Sequence, residues 1–175
     1  ILPTLQIGGM QLLHMEHDDP YEKTIPKVNR FVVELFLLYV FLSIICGLLY
    51  FFNGMSIFDA TVHAMTTIST GGFSSHNMSF AYFNSFSIEI ISVIFMIVGS
   101  LPFVLYLQFL HRQKKLFIKD DQIKLFFLIT FFIIFLTTIW LKINLSTDLF
   151  SAFRLSLFNI ISILTGTGYS SFNFS

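Results

Sequence analysis

The sequence has few charged residues, almost no cysteine and no net charge. Only 11% of its 175 residues are charged, whereas an average soluble domain carries roughly a quarter, so the composition argues against an ordinary water-soluble globule. Ten basic and ten acidic side chains cancel, which excludes a nucleic-acid-binding protein built on a basic surface. The single cysteine, Cys46, excludes an intrachain disulfide and a cysteine-rich metal cluster.

Motifs of enzyme chemistry are missing as well. The sequence contains no Gly-Lys-Ser/Thr phosphate loop, no nucleophile elbow and no His-Glu-x-x-His pair. We therefore expect no enzymatic activity and no cofactor. The chain opens at Ile1 without a charged region ahead of a short apolar stretch, so no signal peptide is predicted. We expect the chain to be part of a longer polypeptide.

Apolar side chains are present in excess: 55% of the residues are hydrophobic and 24 are phenylalanine. A membrane-spanning helix needs about 20 apolar residues to cross roughly 30 Å of hydrocarbon. Three segments meet this rule: Phe31 to Phe52, Ser87 to Leu110 and Ile123 to Ile143. Gly99 to Pro102 predict a bend in the second segment. In a soluble protein, three such apolar helices would have to be covered by amphipathic helices, and the rest of the sequence contains none. We therefore predict an all-α integral membrane protein.

Basic residues cluster on one side of the predicted spans. No Lys or Arg occurs from Phe31 to His111. By the positive-inside rule, the side that carries most of the basic residues faces the cytoplasm. Residues 53–86 and 144–175 are then predicted to be external. Eight of the ten basic residues lie on the cytoplasmic side: Lys23, Lys27, Arg30, Arg112, Lys114, Lys115, Lys119 and Lys124.

Each external segment contains an apolar helix that is too short to span a membrane. Ser56 and Asp59 form a capping box and predict a helix that ends at about Ile68. Its dozen residues reach about 18 Å, roughly half a bilayer. Asp148 is the predicted N-cap of a second such helix, Leu149 to Leu164. Since backbone cannot stop at mid-depth facing lipid, we predict that both are re-entrant half-helices enclosed by protein.

A turn that contains glycine follows each half-helix. The turns Ser69 to Ser75 and Thr165 to Ser171 lie 96 residues apart. At that offset Gly72 matches Gly168, and the aromatic residue and the two serines that follow also match. The agreement predicts an internal repeat of span, half-helix and turn.

The order of half-helix and turn indicates the sign of a bound ion. The glycines follow the helix C-terminus, where unpaired carbonyls carry partial negative charge and favour a cation. An anion site would instead place the glycines ahead of a helix N-terminus. Glycine also accepts dihedral angles that aim successive carbonyls at one axis, as in potassium-selective filters. The alternative is that these glycines serve only as caps and turns.

Three stretches resemble the Trk/Ktr/HKT superfamily of potassium transporters, and within it the TrkH-like members. They are LPTLQIGGMQLLHMEHDDPYEKTIPKV, IFDATVHAMTTISTGGFSSHNMSFAYFNS and FRLSLFNIISILTGTGYSSFNFS. Members of this superfamily are similar to a potassium channel fused into one polypeptide. Four unequal repeats of outer helix, pore half-helix, filter and inner helix surround one pore.

The resemblance implies a division of the chain. Residues 1–27 would be the end of the first-repeat inner helix and a cytoplasmic linker, 28–111 a complete second repeat, 112–121 a linker, and 122–175 a partial third repeat that ends after its filter. Potassium would bind to backbone carbonyls of the filter. The implied filter residues are Ser69, Thr70, Gly71, Gly72, Phe73, Thr165, Gly166, Thr167, Gly168 and Tyr169.

The resemblance also implies a function and partners. We expect potassium uptake across the inner membrane by a multi-pass protein, with potassium as the transported ion. Expected partners are the missing repeats, the lipid bilayer, a second copy of the complete transporter and a TrkA-like nucleotide-binding subunit; nucleic acid is not among them. Two filters of four cannot close a ring of carbonyls. A non-conducting remnant of a transporter gene therefore stays an alternative, as does a ring of several copies.

Histidines are candidate metal ligands, but the positions of four of them favour other roles. His63 lies on the first half-helix, where packing or a hydrogen bond to a neighbouring helix is favoured over metal binding, and His76 is expected at the outer mouth. His14 and His17 are assigned to a solvated linker.

Two carboxylates, Glu34 and Glu89, lie within apolar segments, which marks them as candidate functional groups. Both are close to the ends of their segments, so we expect them to reach the membrane interface. Arg154 stands in the second half-helix and departs from exact repetition of the first.

Overall fold

The computed structural model describes residues 24–103, 106, 121–145 and 148–172, with the side chains of 31–103, 106, 122–144 and 148–172. The linker residues 112–120 and the histidines at 14 and 17 lie outside this part of the chain. Most of the described residues are helical, and none of them lies in a strand. The helices are α1 (Thr24–Phe52), α2 (Ile57–Ile68), a 3-10 helix (Ser79–Tyr82), α3 (Phe86–Ser100), α4 (Asp121–Leu145) and α5 (Leu149–Leu164).

The chain divides into two compact units, residues 1–37 and 38–175. In the first unit the structure describes the start of α1. Val32, Val33 and Phe36 are exposed there, and Glu34 is half-buried. The expectation that Glu34 reaches the interface stays a prediction. The second unit contains the rest of α1 and all the other described helices.

Two of the three predicted spans are confirmed. Phe31–Phe52 and Gln122–Asn144 are helical, with a mean hydropathy of 2.6 and 2.3, and are long enough to cross a membrane. Their apolar side chains are largely exposed, among them Phe41 in α1 and Phe131 in α4. A helix that is apolar on its outward faces is suited to contact with lipid or with further helices.

The second predicted span is not one continuous helix. α3 ends at Ser100, after 15 residues, and Leu101 is extended with φ −74° and ψ 145°. The disturbance predicted at Gly99 to Pro102 is confirmed, and it is larger than the predicted bend, because the helix ends there. Proline disfavours the helical conformation of the residue before it and donates no backbone hydrogen bond. The chain is helical again at Phe103.

Close packing joins α3 to the end of α2. A Cβ atom built on Gly99 would lie 2.6 Å from the carbonyl oxygen of Ile68, the last residue of α2. The contact is with backbone, which cannot rotate away. A glycine at this position therefore allows α3 to pass directly beside the C-terminus of the half-helix.

We expect Gly99→Ala to lower the free energy of unfolding by about 1–3 kcal/mol, the usual cost of overpacking. Gly47→Ala in α1 is the matched control, because its Cβ would lie 3.4 Å from the Cβ of Ala64, an ordinary contact. Thermal unfolding in detergent, followed by circular dichroism, measures both. Equal stability of the two variants would contradict the role assigned to Gly99.

An ion pair joins α3 to α5. Arg154 Nε donates to Glu89 Oε2 at 2.7 Å, and Arg154 Nη2 donates to Glu89 Oε1 at 2.9 Å. Glu89 is buried, with 4% of its surface exposed. The expectation that Glu89 reaches the interface is therefore wrong, because the carboxylate is satisfied inside the protein by a guanidinium 65 residues away.

Candidate functional site

The two half-helices have the predicted caps. Ser56 Oγ accepts a hydrogen bond from the Asp59 amide at 3.0 Å, and Asp148 Oδ2 accepts one from the Phe150 amide at 3.3 Å. α2 then runs to Ile68 and α5 to Leu164, each within a residue of the predicted end. Both helices direct their C-terminal carbonyls, the partially negative end of the helix dipole, toward the turn that follows.

The turns after the two half-helices adopt the same backbone pattern. Thr70 and Gly72 have φ of 51° and 67°, and Gly166 and Gly168 have φ of 76° and 82°. The left-handed residues therefore alternate with ordinary ones and recur at the 96-residue offset. In an extended strand successive carbonyls point to opposite sides, whereas left-handed residues in alternation allow several carbonyls to face one side.

The hydrogen bonds of the two turns also match at this offset. The Gly72 amide donates to Thr66 O at 3.3 Å, and the Gly168 amide donates to Ser162 O at 3.1 Å. Thr66 Oγ1 donates to Phe73 O at 2.8 Å, and Ser162 Oγ donates to Tyr169 O at 2.7 Å. A hydroxyl on each half-helix thus holds the same carbonyl of its turn.

The structure brings the two turns into direct contact. A Cβ atom on Gly72 would lie 1.7 Å from the carbonyl oxygen of Thr167, so only glycine permits this approach. Thr167 is buried, and its Oγ1 lies 2.8 Å from Thr165 Oγ1. All ten sequence-predicted site residues lie in these two turns, at the C-terminal ends of α2 and α5.

Tyr169 links the second turn to the first half-helix. Its side chain is 3% exposed, and its hydroxyl lies 2.5 Å from Thr66 Oγ1 and 3.2 Å from Thr67 Oγ1. The same hydroxyl lies 3.3 Å from the His63 carbonyl oxygen. Phe73, the matching residue of the first turn, is 75% exposed.

Side-chain hydrogen bonds hold the chain after the first turn against one face of α2. His63 Nε2 lies 2.9 Å from Ser74 Oγ, and Ser75 Oγ donates to Asp59 Oδ1 at 2.6 Å. His76 stacks on Tyr82 with ring centroids 3.6 Å apart. The prediction that His63 is a packed, hydrogen-bonded residue is confirmed, although its partner is Ser74 and not a neighbouring helix.

Asp59 has several partners at the outer end of α2. The hydrogen bond from Ser75 lowers the pKa of Asp59 below its ordinary value of 3.8, with help from Ser56 and from His76. His76 Nε2 lies 3.2 Å from Asp59 Oδ1. Asp59 was expected only as part of a capping box, but the structure makes it an anchor for the chain beyond the turn.

Acid should weaken this anchor. A carboxyl whose pKa is lower in the folded state contributes stability that is complete above its unfolded pKa and is lost as the pH falls through the folded value. For Asp59 we expect that loss below about pH 4. Asp59→Asn should show a smaller change in thermal stability between pH 5 and pH 3 than the wild-type chain. An equal change would show that other carboxyls carry the acid dependence.

A cavity of about 400 Å³ lies beside the ends of the two half-helices. Its lining includes Thr70, Thr165 and the α3 break at Leu101. The C-terminal ends of two helix dipoles meet at this cavity, so a cation is favoured there over an anion. The described residues hold no group of three His, Cys, Asp or Glu side chains that could bind a metal ion, and backbone carbonyls are the ligands that the turns offer.

Comparison with known proteins shows the family of this chain. The family model described as "TrkH: Cation transport protein" matches residues 1–175. The chain belongs to the TrkH family. The whole chain is 35% identical to the Trk system potassium uptake protein TrkI of Halomonas elongata, of which it covers 36%. It is 34% identical to the Trk system potassium uptake protein TrkH of Vibrio parahaemolyticus, of which it covers 37%.

A solved structure shares the fold of this TrkH-family chain. The crystal structure of the potassium transporter TrkH from Vibrio parahaemolyticus superimposes with a TM-score of 0.82 at 30% identity, covering 98% of this chain and 34% of that one. The chain therefore spans about a third of the length of the relatives it matches. Trk-family proteins are membrane transporters, and the all-helical fold described above is theirs.

Several site residues were not singled out in the sequence of this TrkH-family chain. Thr66 and Ser162 hold the turn carbonyls, and Asn159 Nδ2 donates to Ser171 Oγ at 3.0 Å. A signal was available, because Asp59, His63 and Thr66 share one face of α2 at helical spacing. The 96-residue offset would then have pointed to Asn159 and Ser162.

Proposed function

We propose that this chain is part of a potassium-uptake transporter and supplies two segments of its selectivity filter. These segments are Ser69–Phe73 and Thr165–Tyr169, named the first and second filter segments. The observation that carries the proposal is the shared backbone of the two segments. Left-handed residues, amide bonds and hydroxyl contacts recur at one offset, each time at the C-terminal end of a half-helix.

In this proposal the ligands of potassium are backbone carbonyls of the two segments. A potassium ion leaves water when a shell of oxygens replaces its hydration. Residues 28–111 are the proposed second pore repeat, and residues 122–175 begin a third. Residues 1–27 are the proposed end of the first-repeat inner helix and a linker, and residues 112–121 are a second linker. Other segments of the same transporter would complete the ring of oxygens.

The experiment is rescue of a bacterium that lacks its own potassium uptake systems. The chain is produced together with the flanking repeats of a Trk transporter, and uptake of potassium and of sodium is measured. We expect growth at low potassium and uptake that favours potassium. Absence of uptake from a folded, membrane-inserted complex would contradict the proposal and support the non-conducting alternative.

The proposal extends to location and partners. The resemblance to Trk transporters supports an inner-membrane, multi-pass protein that works as a dimer with a TrkA-like nucleotide-binding subunit on the cytoplasmic side. The distribution of Lys and Arg supports the orientation.

Cysteine labelling tests this orientation. In a Cys46→Ser background, Lys115→Cys should react with a membrane-impermeant maleimide only from the cytoplasmic side, and Asn77→Cys only from outside. Intact cells and inverted vesicles provide the two sides. Labelling of both positions from one side would contradict the orientation derived from the basic residues.

A further inference from the structure

The Glu89–Arg154 pair has the geometry of a fixed joint. Two parallel bonds of 2.7 and 2.9 Å connect the guanidinium fork to both carboxylate oxygens. Side-chain exposure is 5% for Glu89 and 26% for Arg154. A bidentate pair fixes the planes of both groups, so it constrains the position of one helix against the other more tightly than a single contact would.

Glu89 is largely removed from water, and an aromatic ring lies beside its partner. Glu89 is 4% exposed, and the Arg154 guanidinium carbon lies 5.7 Å from the centre of the Phe86 ring. A charge in such surroundings is costly without its partner. Removing either group therefore leaves the other uncompensated, whereas removing both does not.

Helix α5 links the pair to the second filter segment. Arg154 precedes Ser162 by eight residues in α5, roughly 12 Å along the helix axis. Ser162 Oγ donates to the carbonyl of Tyr169, the last residue of that segment. α5 is thus held at one end by its turn and toward the other end by Glu89 of α3.

The first half-helix carries no such pair at the matching position. Phe58 stands 96 residues before Arg154 and is 69% exposed. The ion pair is therefore specific to α5. It connects α3, the inner helix of one proposed repeat, to α5, the half-helix of the next.

We propose that Glu89 and Arg154 are positioning residues for the second filter segment and contribute to the preference for potassium over sodium. The proposal rests on the proposed function. The pair acts through the placement of α5 and not through its charge on the passing ion. A displaced α5 would move the carbonyl of Tyr169 and those before it, so the coordination distances that distinguish the two ions would change.

The test compares four variants in the complemented transporter described above. Glu89→Gln and Arg154→Gln should each lower the potassium-to-sodium uptake ratio by about tenfold, the size expected from loss of one buried polar partner. Arg154→Lys keeps the charge without the fork and should give an intermediate ratio. Glu89→Gln with Arg154→Met removes both charges and should restore the folded yield but not the ratio.

The double variant distinguishes a role of the pair in placing the filter segment from a role in stability alone. If the double variant regains both the yield and the wild-type ratio, the pair only avoids an uncompensated charge and the proposal is wrong. If the two single neutralisations shift the ratio in opposite directions, charge and not geometry acts on the ion, and the proposal is also wrong. If Glu89→Gln and Arg154→Gln do not fold, the potassium-to-sodium ratios of the double variant and of Arg154→Lys test the proposal.

Asp148→Asn is the matched control. It removes a negative charge from the same half-helix, and asparagine caps a helix about as well as aspartate. We expect the wild-type ratio from it. Absence of uptake by the wild-type complex would instead overturn the proposed function itself. If the wild-type complex takes up potassium and the pair variants keep its potassium-to-sodium ratio, only the role of the pair is overturned.

Discussion

Gly72→Ala should abolish potassium uptake, while Gly168→Ala should leave a folded protein with reduced selectivity. Both glycines have left-handed backbone, with φ of 67° and 82°, and alanine there costs about 1–2 kcal/mol. They differ in their surroundings. A Cβ atom on Gly72 would overlap the Thr167 carbonyl at 1.7 Å, whereas one on Gly168 would meet no atom within 4 Å.

The overlap at Gly72 forces the two filter segments apart. The Thr167 carbonyl belongs to backbone, so it cannot rotate away as a flexible side chain would. We expect potassium uptake at background level for Gly72→Ala. For Gly168→Ala we expect a potassium-to-sodium ratio lower by about tenfold, since the strained residue costs the filter backbone about one kcal/mol or more. Uptake of each ion by the complemented transporter is the measurement.

Gly54→Ala is the control for these variants. Gly54 also has positive φ, 104°, with nothing within 4 Å of a built Cβ, but it lies in the connection between α1 and α2. Its substitution introduces comparable backbone strain outside the filter segments. A loss of selectivity in Gly54→Ala equal to that in Gly168→Ala would mean that the strain acts through folding and not through the filter.

Tyr169→Ala should produce the largest loss of stability among single substitutions near the turns. The ring is 3% exposed and packs against Phe80 with centroids 4.5 Å apart. Truncating a buried aromatic ring typically costs about 3–5 kcal/mol. The hydroxyl also contacts Thr66 and Thr67, so the variant separates the second filter segment from α2. Unfolding of the chain in detergent, followed by circular dichroism, measures the loss.

Two further variants divide this effect. Tyr169→Phe keeps the ring and removes the hydroxyl contacts, and we expect a loss of about 1–3 kcal/mol. Phe73→Ala removes the matching ring of the first segment, which is 75% exposed, and should change the stability of this chain by no more than about 0.5 kcal/mol. Equal losses from Phe73→Ala and Tyr169→Ala would contradict the packing described here.

The class of protein and its elements could be predicted from the sequence, because they depend on local composition. Long apolar segments, two capped half-helices and two matching turns are properties of neighbouring residues. The first and third spans and both half-helices were confirmed near their predicted bounds. Pro102 was recognised as a disturbance, but a span of about 20 residues bends or breaks according to its packing, and only the structure shows the end of α3 at Ser100.

The glycines of the first turn show which properties can be predicted from the sequence and which require the structure. The sequence shows that Gly71 and Gly72 lie in a turn, but not which of them needs left-handed backbone. In the structure Thr70 and Gly72 have positive φ, and the demand for glycine at position 72 arises from Thr167, which is 95 residues away. A clash between distant segments leaves no trace in local sequence.

The sequence by itself determined that this is an all-helical membrane protein with two half-helices that end in glycine turns, because hydrophobic length, caps and turn residues are encoded within a few positions of one another. Only the tertiary structure decided which partners meet. Glu89 was expected at the interface and instead pairs with Arg154, and Tyr169 reaches the helix before the other turn. Contacts across 65 and 106 residues depend on how the helices pack, and helix packing is a property of the assembled chain.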